Sequence, residues 1–191
     1  MCARDKLLKP RLSLNKRVAS TDKPLLPIAT KDKKVYLSGV AARAAEATGL
    51  IVVADPAQAD LAIIRAPAPY ESEHPNFFFG SRQHEGRLSF TVKDAAYAEL
   101  LRVSPRVPTV FLTTLERPLI LTNIGPHATA LLGDFGISDE ALLGLITGEV
   151  SPAGHLPFEL PSSVENVKQQ KSDLPHDSQS PLFPFGLGLH Y

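Results

Sequence analysis

The chain has 191 residues, 43% of them hydrophobic and 21% charged, and its 20 basic and 20 acidic side chains cancel at neutral pH. That is the length and balance of one globular domain with its own core. No apolar stretch approaches the roughly 20 residues of a membrane helix, and the single cysteine, Cys2, excludes a disulfide framework and a thiolate metal site.

Charge is unevenly placed. Ten of the Lys and Arg residues fall within residues 1–34, against three acidic ones, so the remainder is net acidic. No aromatic side chain accompanies the leading charges as a nucleic-acid stacking platform would require. Residues 1–33 therefore read as a solvated, flexible leader, with neither a nucleic acid nor a membrane as expected partner. MCARDKLLKPRLSLNKR is too charged throughout to hold a secretory apolar segment, which makes the cytoplasm the default location.

The folded domain is expected over residues 34–191. KVYLSGV (34–40) reads as a short strand, and the alanine-rich AARAAEATGL (41–50) as a helix with Gly49 at its C-cap. LIVVAD (50–55) and LAIIRAPAP (61–69) are apolar runs of strand length, the second stopped by its prolines. Because they lack polar alternation, they suggest strands covered on both faces. Residues 70–90 are irregular and carry most of the chemically interesting side chains. FTVKDAAYAELLRVS (90–104) has helical spacing, VPTVFLTTL (107–115) is a third buried strand, and residues 128–134 a further one. Ser138 is placed to N-cap a helix with Asp139 and Glu140 in its first turn and Gly148 at its end. Alternating strand and helix predicts an α/β fold: a mostly parallel sheet with helices on both faces.

The last forty residues are rich in proline and glycine. Ser151-Pro152-Ala153-Gly154 matches a type I turn. In HLPFELP, Pro157 and Pro161 cannot sit in a central strand, so the segment is expected to run along an edge with Leu156, Phe158 and Leu160 as a packing strip. A polar excursion follows, and then PLFPFGLGLHY, where Gly186 and Gly188 allow bending or close approach.

In this order, the spaced motifs SPAGHLPFELP and PLFPFGLGLHY closely resemble the end of the C-terminal α/β sandwich domain of family 3 glycoside hydrolases, the β-glucosidase and β-xylosidase group. PLLPIATKDKKVYLSGV resembles the lead-in to that domain, VPTVFLTTLERPLIL its strand with a glycine-or-arginine-proline turn, and ALLGDFGISDEALLGLITGEVSPAG the following strand and helix. The resemblance covers about residues 24–191. Leu187 and His190 depart from the usual aromatic and serine of the closing motif, and Ser138-Asp139 from the paired glycines of many members.

Glycoside hydrolysis with retention uses two carboxyl groups about 5 to 5.5 Å apart, one nucleophile and one acid/base. The resemblance implies that the nucleophilic aspartate lies on a preceding β/α barrel domain, and that an acid/base glutamate reaches across to it from a loop of this one. The chain has no tryptophan, hence no Ser-Asp-Trp type nucleophile motif, and no room for a barrel of roughly 250 residues. It carries at most half an active site, and its implied partners are a barrel domain and a β-linked glucoside or xyloside.

Glu71 is the candidate acid/base, since ligands of open parallel sheets collect beyond the carboxyl ends of strands and the family's glutamate follows the equivalent strand. Glu73 and Glu85 are its rivals. The loop YESEHPNFFFGSRQHEGR differs from the commoner family form, in which a glycine and an Asp-Arg pair follow the glutamate. Arg82 and Arg87 are candidates to orient the acid or a sugar hydroxyl, and Phe78, with Phe77 and Phe79, to form a sugar-stacking wall or a docking patch. His74 and His84 stand beside Glu73 and Glu85 without the His-Glu-x-x-His spacing of a zinc helix, and no metal is expected. No cofactor is expected either: the only glycine-rich candidate, GLGL, is terminal and precedes no helix. Besides the enzyme half, a non-catalytic carbohydrate-binding or scaffold domain and an inactive truncated hydrolase fit the same residues.

Overall fold

The computed structural model describes residues 17–18, 23–80 and 83–189. Cys2, Arg82, His190 and most of the basic leader lie outside them. A two-residue antiparallel pair, β1 (Arg17–Val18) and β2 (Lys23–Pro24), comes first. The domain proper runs β3 (Lys34–Ser38), α1 (Ala42–Ala47), β4 (Ile51–Val53), β5 (Leu61–Ala66), α2 (Ala95–Val103), β6 (Thr109–Thr114), β7 (Ala130–Asp134), α3 (Asp139–Thr147) and α4 (Val164–Gln169).

β3 to β7 form one sheet in the order β4-β3-β5-β6-β7, every neighbour parallel. The α/β class with a parallel sheet is thus the observed one. The chain steps outward from β3 to β4, returns to place β5 on the other side of β3, and continues outward. Strand order therefore reverses at β3 and β5, and the crevice for ligands in such sheets lies at the carboxyl ends there.

The alternation hidden inside the apolar runs appears once both faces are seen. Leu61 and Ile63 of β5 share one face with Val35, Val110, Leu112 and Ala130, closed by Ala44 and Ala45 of α1 and Leu142, Leu143 and Ile146 of α3. Ile64 and Ala66 point the opposite way, with Phe111 and Leu131, against Phe90, Leu100 of α2, and Leu160 and Phe183 of the tail. Each Val, Leu, Ile or Phe among them contributes about 1.5 to 3 kcal/mol when fully removed from water. Both faces need helices or tail above them, which is why the strands read as continuous apolar runs.

Several expectations change at the edges. LIVVAD supplies only a three-residue strand, and β4 lies at the sheet edge with Ile51 45% exposed. An apolar run does not by itself distinguish an edge from a centre. The helix expected from residue 90 begins at Ala95, and Val92, within the expected span, is 69% exposed. Asp94 holds the chain in a turn there, accepting from the Thr91 amide at 2.7 Å. Packed structure also reaches back across the expected boundary at residue 34: Leu26 and Ile28 are buried in the core, and the Ile28 amide donates to the Ile146 carbonyl.

α3 follows its sequence signals. Ser138 Oγ accepts from the Ala141 amide, and Gly148 closes the helix at φ 81°. The expected turn at residues 151–154 is not formed. HLPFELP does not line the sheet edge. It pairs with the closing motif through antiparallel bridges between His155 and Gly188 and between Leu160 and Phe183, and the pair lies over the sheet face.

Candidate functional site

The connection from β5 to α2, residues 67–94, stands at the carboxyl rim of the sheet. Prolines end β5, and the chain then folds back on itself. Glu71 and Glu85 form an isolated antiparallel bridge, with the Glu71 amide donating to the Glu85 carbonyl at 2.9 Å and the reverse bond at 3.2 Å. This bridge cinches a lobe whose tip carries Phe77, Phe78 and Phe79, exposed by 68%, 70% and 75%. Phe78 and Phe79 meet edge to face. Gly86, at φ 68°, lies directly beneath Glu71: a Cβ on it would come within 2.5 Å of Glu71 Oε2 and 2.7 Å of Glu71 Cβ.

The structure brings Glu71, Glu85, Arg87 and His74 together. The Glu71 side chain is 56% exposed and its Oε1 lies 3.6 Å from Arg87 Nε. Arg87 is itself fixed by two parallel bonds to Asp94, Nη1 to Oδ2 at 2.7 Å and Nη2 to Oδ1 at 2.8 Å. The Arg87 guanidinium, helped by the Thr91 amide, holds the Asp94 carboxyl below its ordinary range despite partial burial. Glu85 is engaged differently, its Oε2 lying 2.9 Å from His74 Nδ1. That contact raises the His74 imidazole above its ordinary value, with Glu73 adding a smaller attraction. Glu73 itself is exposed. Of the two rivals, one is therefore committed to a histidine and the other stands clear of Arg87's reach as recorded by its bonds.

A second connection, between β6 and β7, reaches under this loop. His84 stacks on Tyr70 with ring centroids 3.9 Å apart and pairs through Nδ1 with Glu116 Oε2 at 2.5 Å. Beside Glu116, the Arg117 guanidinium donates to main-chain carbonyls of the loop. Further along the rim, Arg65 at the end of β5 bonds Asp139 Oδ1 at 2.8 Å, Asp134 Oδ1 at 3.2 Å and the Ile137 carbonyl at 2.8 Å. Asp139 also accepts from the Ala41 amide. This network ties β5, β7, α3 and the β3–α1 connection into one support.

Sequence reasoning missed Gly86, Asp94, Arg65, Glu116 and Arg117. The partners of Arg117 lie 30 to 48 residues away, and those of Arg65 69 to 74. No local spacing encodes such pairs. The Arg117-Pro118 turn was visible, but only as a turn.

Chemically, the rim offers one exposed carboxyl beside a fixed guanidinium. It can donate a proton to an oxygen brought against it, and the arginine can stabilise the carboxylate left behind. Among the described residues no group of three or more His, Cys, Asp or Glu side chains is placed to hold a metal ion. An apolar cavity of about 270 Å³ lies elsewhere, between β7, α3 and the tail, lined by residues such as Leu132, Phe135, Leu145 and Leu187. No described residue of the connection 67–94 borders it. Among the described residues no helix is long and apolar enough to cross a membrane.

Comparison with known proteins adds the following. Residues 51–191 match the family model for the glycosyl hydrolase family 3 C-terminal domain. The chain is 49% identical over 165 residues to a periplasmic beta-glucosidase/beta-xylosidase of Dickeya chrysanthemi, covering 86% of this chain and 25% of that protein. It is 32% identical over 174 residues to beta-glucosidase C of Emericella nidulans, covering 90% of this chain and 28% of the relative. The chain thus spans about a quarter of the length of these relatives. Among solved structures, a beta-D-glucoside glucohydrolase from Trichoderma reesei superposes with a TM-score of 0.66 at 16% identity, over 94% of this chain and 35% of that one. A beta-glucosidase from Listeria innocua in complex with gluconolactone gives 0.64 at 16% identity, over 94% and 32%. At that identity these two establish the shared fold.

Proposed function

This chain belongs to glycosyl hydrolase family 3 through its C-terminal domain, and on that premise we propose that it supplies the proton-donor side of a β-glucoside or β-xyloside cleft. Glu71 is the general acid, and then base, in this reading. The attacking carboxylate comes from a β/α barrel domain, in another chain or a longer gene product. The observation that carries the reading is the geometry at the rim: an exposed carboxyl just beyond the carboxyl end of β5, held near Arg87, on a lobe projecting from the sheet.

Arg87 orients Glu71 in this reading, since its guanidinium is held by Asp94 and its Nε lies 3.6 Å from Glu71 Oε1. Phe77, Phe78 and Phe79 form the part of the lobe that meets the barrel, with Phe78 available to a sugar ring. Large exposed phenyl groups in such a cluster are better explained by a surface they pack on than by solvation. The names of the Dickeya and Emericella relatives support the β-glucoside class. The cytoplasmic default stands against the periplasmic designation of the Dickeya relative, and fractionation of cells expressing the protein decides between them.

The test mixes the purified chain with a family 3 barrel domain and follows hydrolysis of aryl β-glucosides of graded leaving-group basicity. Hydrolysis is expected only in the mixture. Glu71→Gln should lower the rate on poor leaving groups by about 10²- to 10⁴-fold, the usual worth of a positioned acid. On good leaving groups, which depart without a proton, kcat/KM should fall much less, while turnover still slows because the second step loses its base. Full activity of the isolated chain, or transfer of this pattern to Glu73→Gln or Glu85→Gln, would overturn the assignment.

A further inference from the structure

Arg117 lies on the β6–β7 connection, half-buried beneath the lobe. Nη1 donates to the His84 carbonyl at 2.7 Å, while Nη2 lies 2.9 Å from the Pro69 carbonyl, 2.8 Å from that of Glu85 and 3.1 Å from that of Arg87. Its Nε is buried without a partner. All these bonds go to main-chain oxygens, and the oxygens come from both arms of the loop, one before Glu71 and three on the return arm at His84, Glu85 and Arg87. A planar fork can bond several carbonyls at fixed angles, whereas a lysine ammonium on a flexible stem acts as a point charge. Glu116, next in the chain, grips the same return arm through His84.

We propose that Arg117 is the positioning residue of this site, holding the arm 69–71 and the return arm 84–87 in register on the sheet rim. The inference rests on the preceding reading only for its effect on turnover, since the closure can be measured without chemistry. It joins two crossover connections into one unit, so the proton donor is held by a residue outside its own loop.

Amide hydrogen exchange of the full chain tests it in the wild type, Arg117→Ala and Arg117→Lys. The Glu71 and Glu85 amides, paired in the bridge, should exchange about 10-fold faster or more in Arg117→Ala. Arg117→Lys should give an intermediate rate, and β5 and β6 amides should be unchanged. In the same variants the NMR titration midpoint of His74, raised by Glu85, should fall back toward that of an ordinary imidazole as the arms separate. Millimolar guanidinium ion should restore part of the protection to Arg117→Ala. Unchanged Glu71 and Glu85 exchange with an unchanged His74 midpoint overturns the proposal. So does equal acceleration across loop and sheet, which marks a general stability role. Should Arg117→Ala not fold, Arg117→Lys carries the same comparison. Loosening of the loop in a protein whose Glu71→Gln variant keeps full activity in the barrel mixture leaves the clamp standing and removes only the donor assignment.

Discussion

Gly86→Ala offers a direct measure of how tightly the loop is built around Glu71. Two costs are separable. An alanine at φ 68° is forced into the left-handed region, at about 1 to 2 kcal/mol. Its methyl would also stand 2.7 Å from Glu71 Cβ. The carboxylate can swing away, but Cβ moves only with the backbone, so the two bonds of the Glu71–Glu85 bridge must stretch or open. At roughly 0.5 to 1.5 kcal/mol net for each bond, this adds about 1 to 3 kcal/mol. Gly136→Ala is the control: φ is 92° there, and nothing lies within 4 Å of the added methyl. Thermal unfolding of both variants should show Gly136→Ala lower in Tm by about 2 to 8 °C, at roughly 2 to 4 °C per kcal/mol for a chain of this size. Gly86→Ala should fall further, with faster exchange confined to the loop amides. A Gly86→Ala variant no less stable than Gly136→Ala would refute the argument from close approach.

Two other perturbations probe the support of the site. Arg65→Met leaves Asp134, whose side chain is 3% exposed, without its cation. Breaking a buried pair from one side costs about 3 to 5 kcal/mol, so urea unfolding should show a loss of that order, partly recovered by adding Asp134→Asn. A loss no larger than that of an exposed substitution would refute the role of the network. The pH dependence of stability tests the Arg87–Asp94 pair. The folded Asp94 carboxyl titrates below its ordinary value, chiefly through Arg87. Its contribution is therefore fully present above about pH 4, the unfolded carboxyl's range, and is lost as pH falls through the folded value. Asp94→Asn should be less stable near neutrality and show a shallower decline in acid, as followed by denaturant midpoints from neutral pH to about pH 3. An unchanged acid slope would show that the pair carries no such linkage.

What the sequence disclosed, and what it withheld, follow from the range of each interaction. β5 and β6 were legible because each apolar run states its burial residue by residue. α3 was legible because a serine cap, an acidic first turn and a terminal glycine act within a few positions. The tail motifs made the family recognisable, yet their pairing with one another, Leu160 with Phe183, was invisible because proline signals only that a central strand is impossible. Glu71, Glu85 and Arg87 were singled out as candidates without their relation. That Glu71 and Glu85 would face across a bridge depends on how the thirteen residues between them return, and that Arg87 would turn to Asp94 depends on where α2 begins. Arg117 and Arg65 lay beyond reach because their partners are brought to them by the sheet and not by the chain.

The length of the β5–α2 connection has one more consequence. The ends of that segment are fixed by β5 and by α2, which packs on the sheet, and the entropy of closing a flexible loop grows only logarithmically, by about 0.6 kcal/mol for each doubling. Insertions or deletions at its phenylalanine tip should therefore be nearly neutral for folding. A lineage could redraw the face at that tip while inheriting the same scaffold intact, provided Arg117 of the β6–β7 connection keeps its hold on the stem.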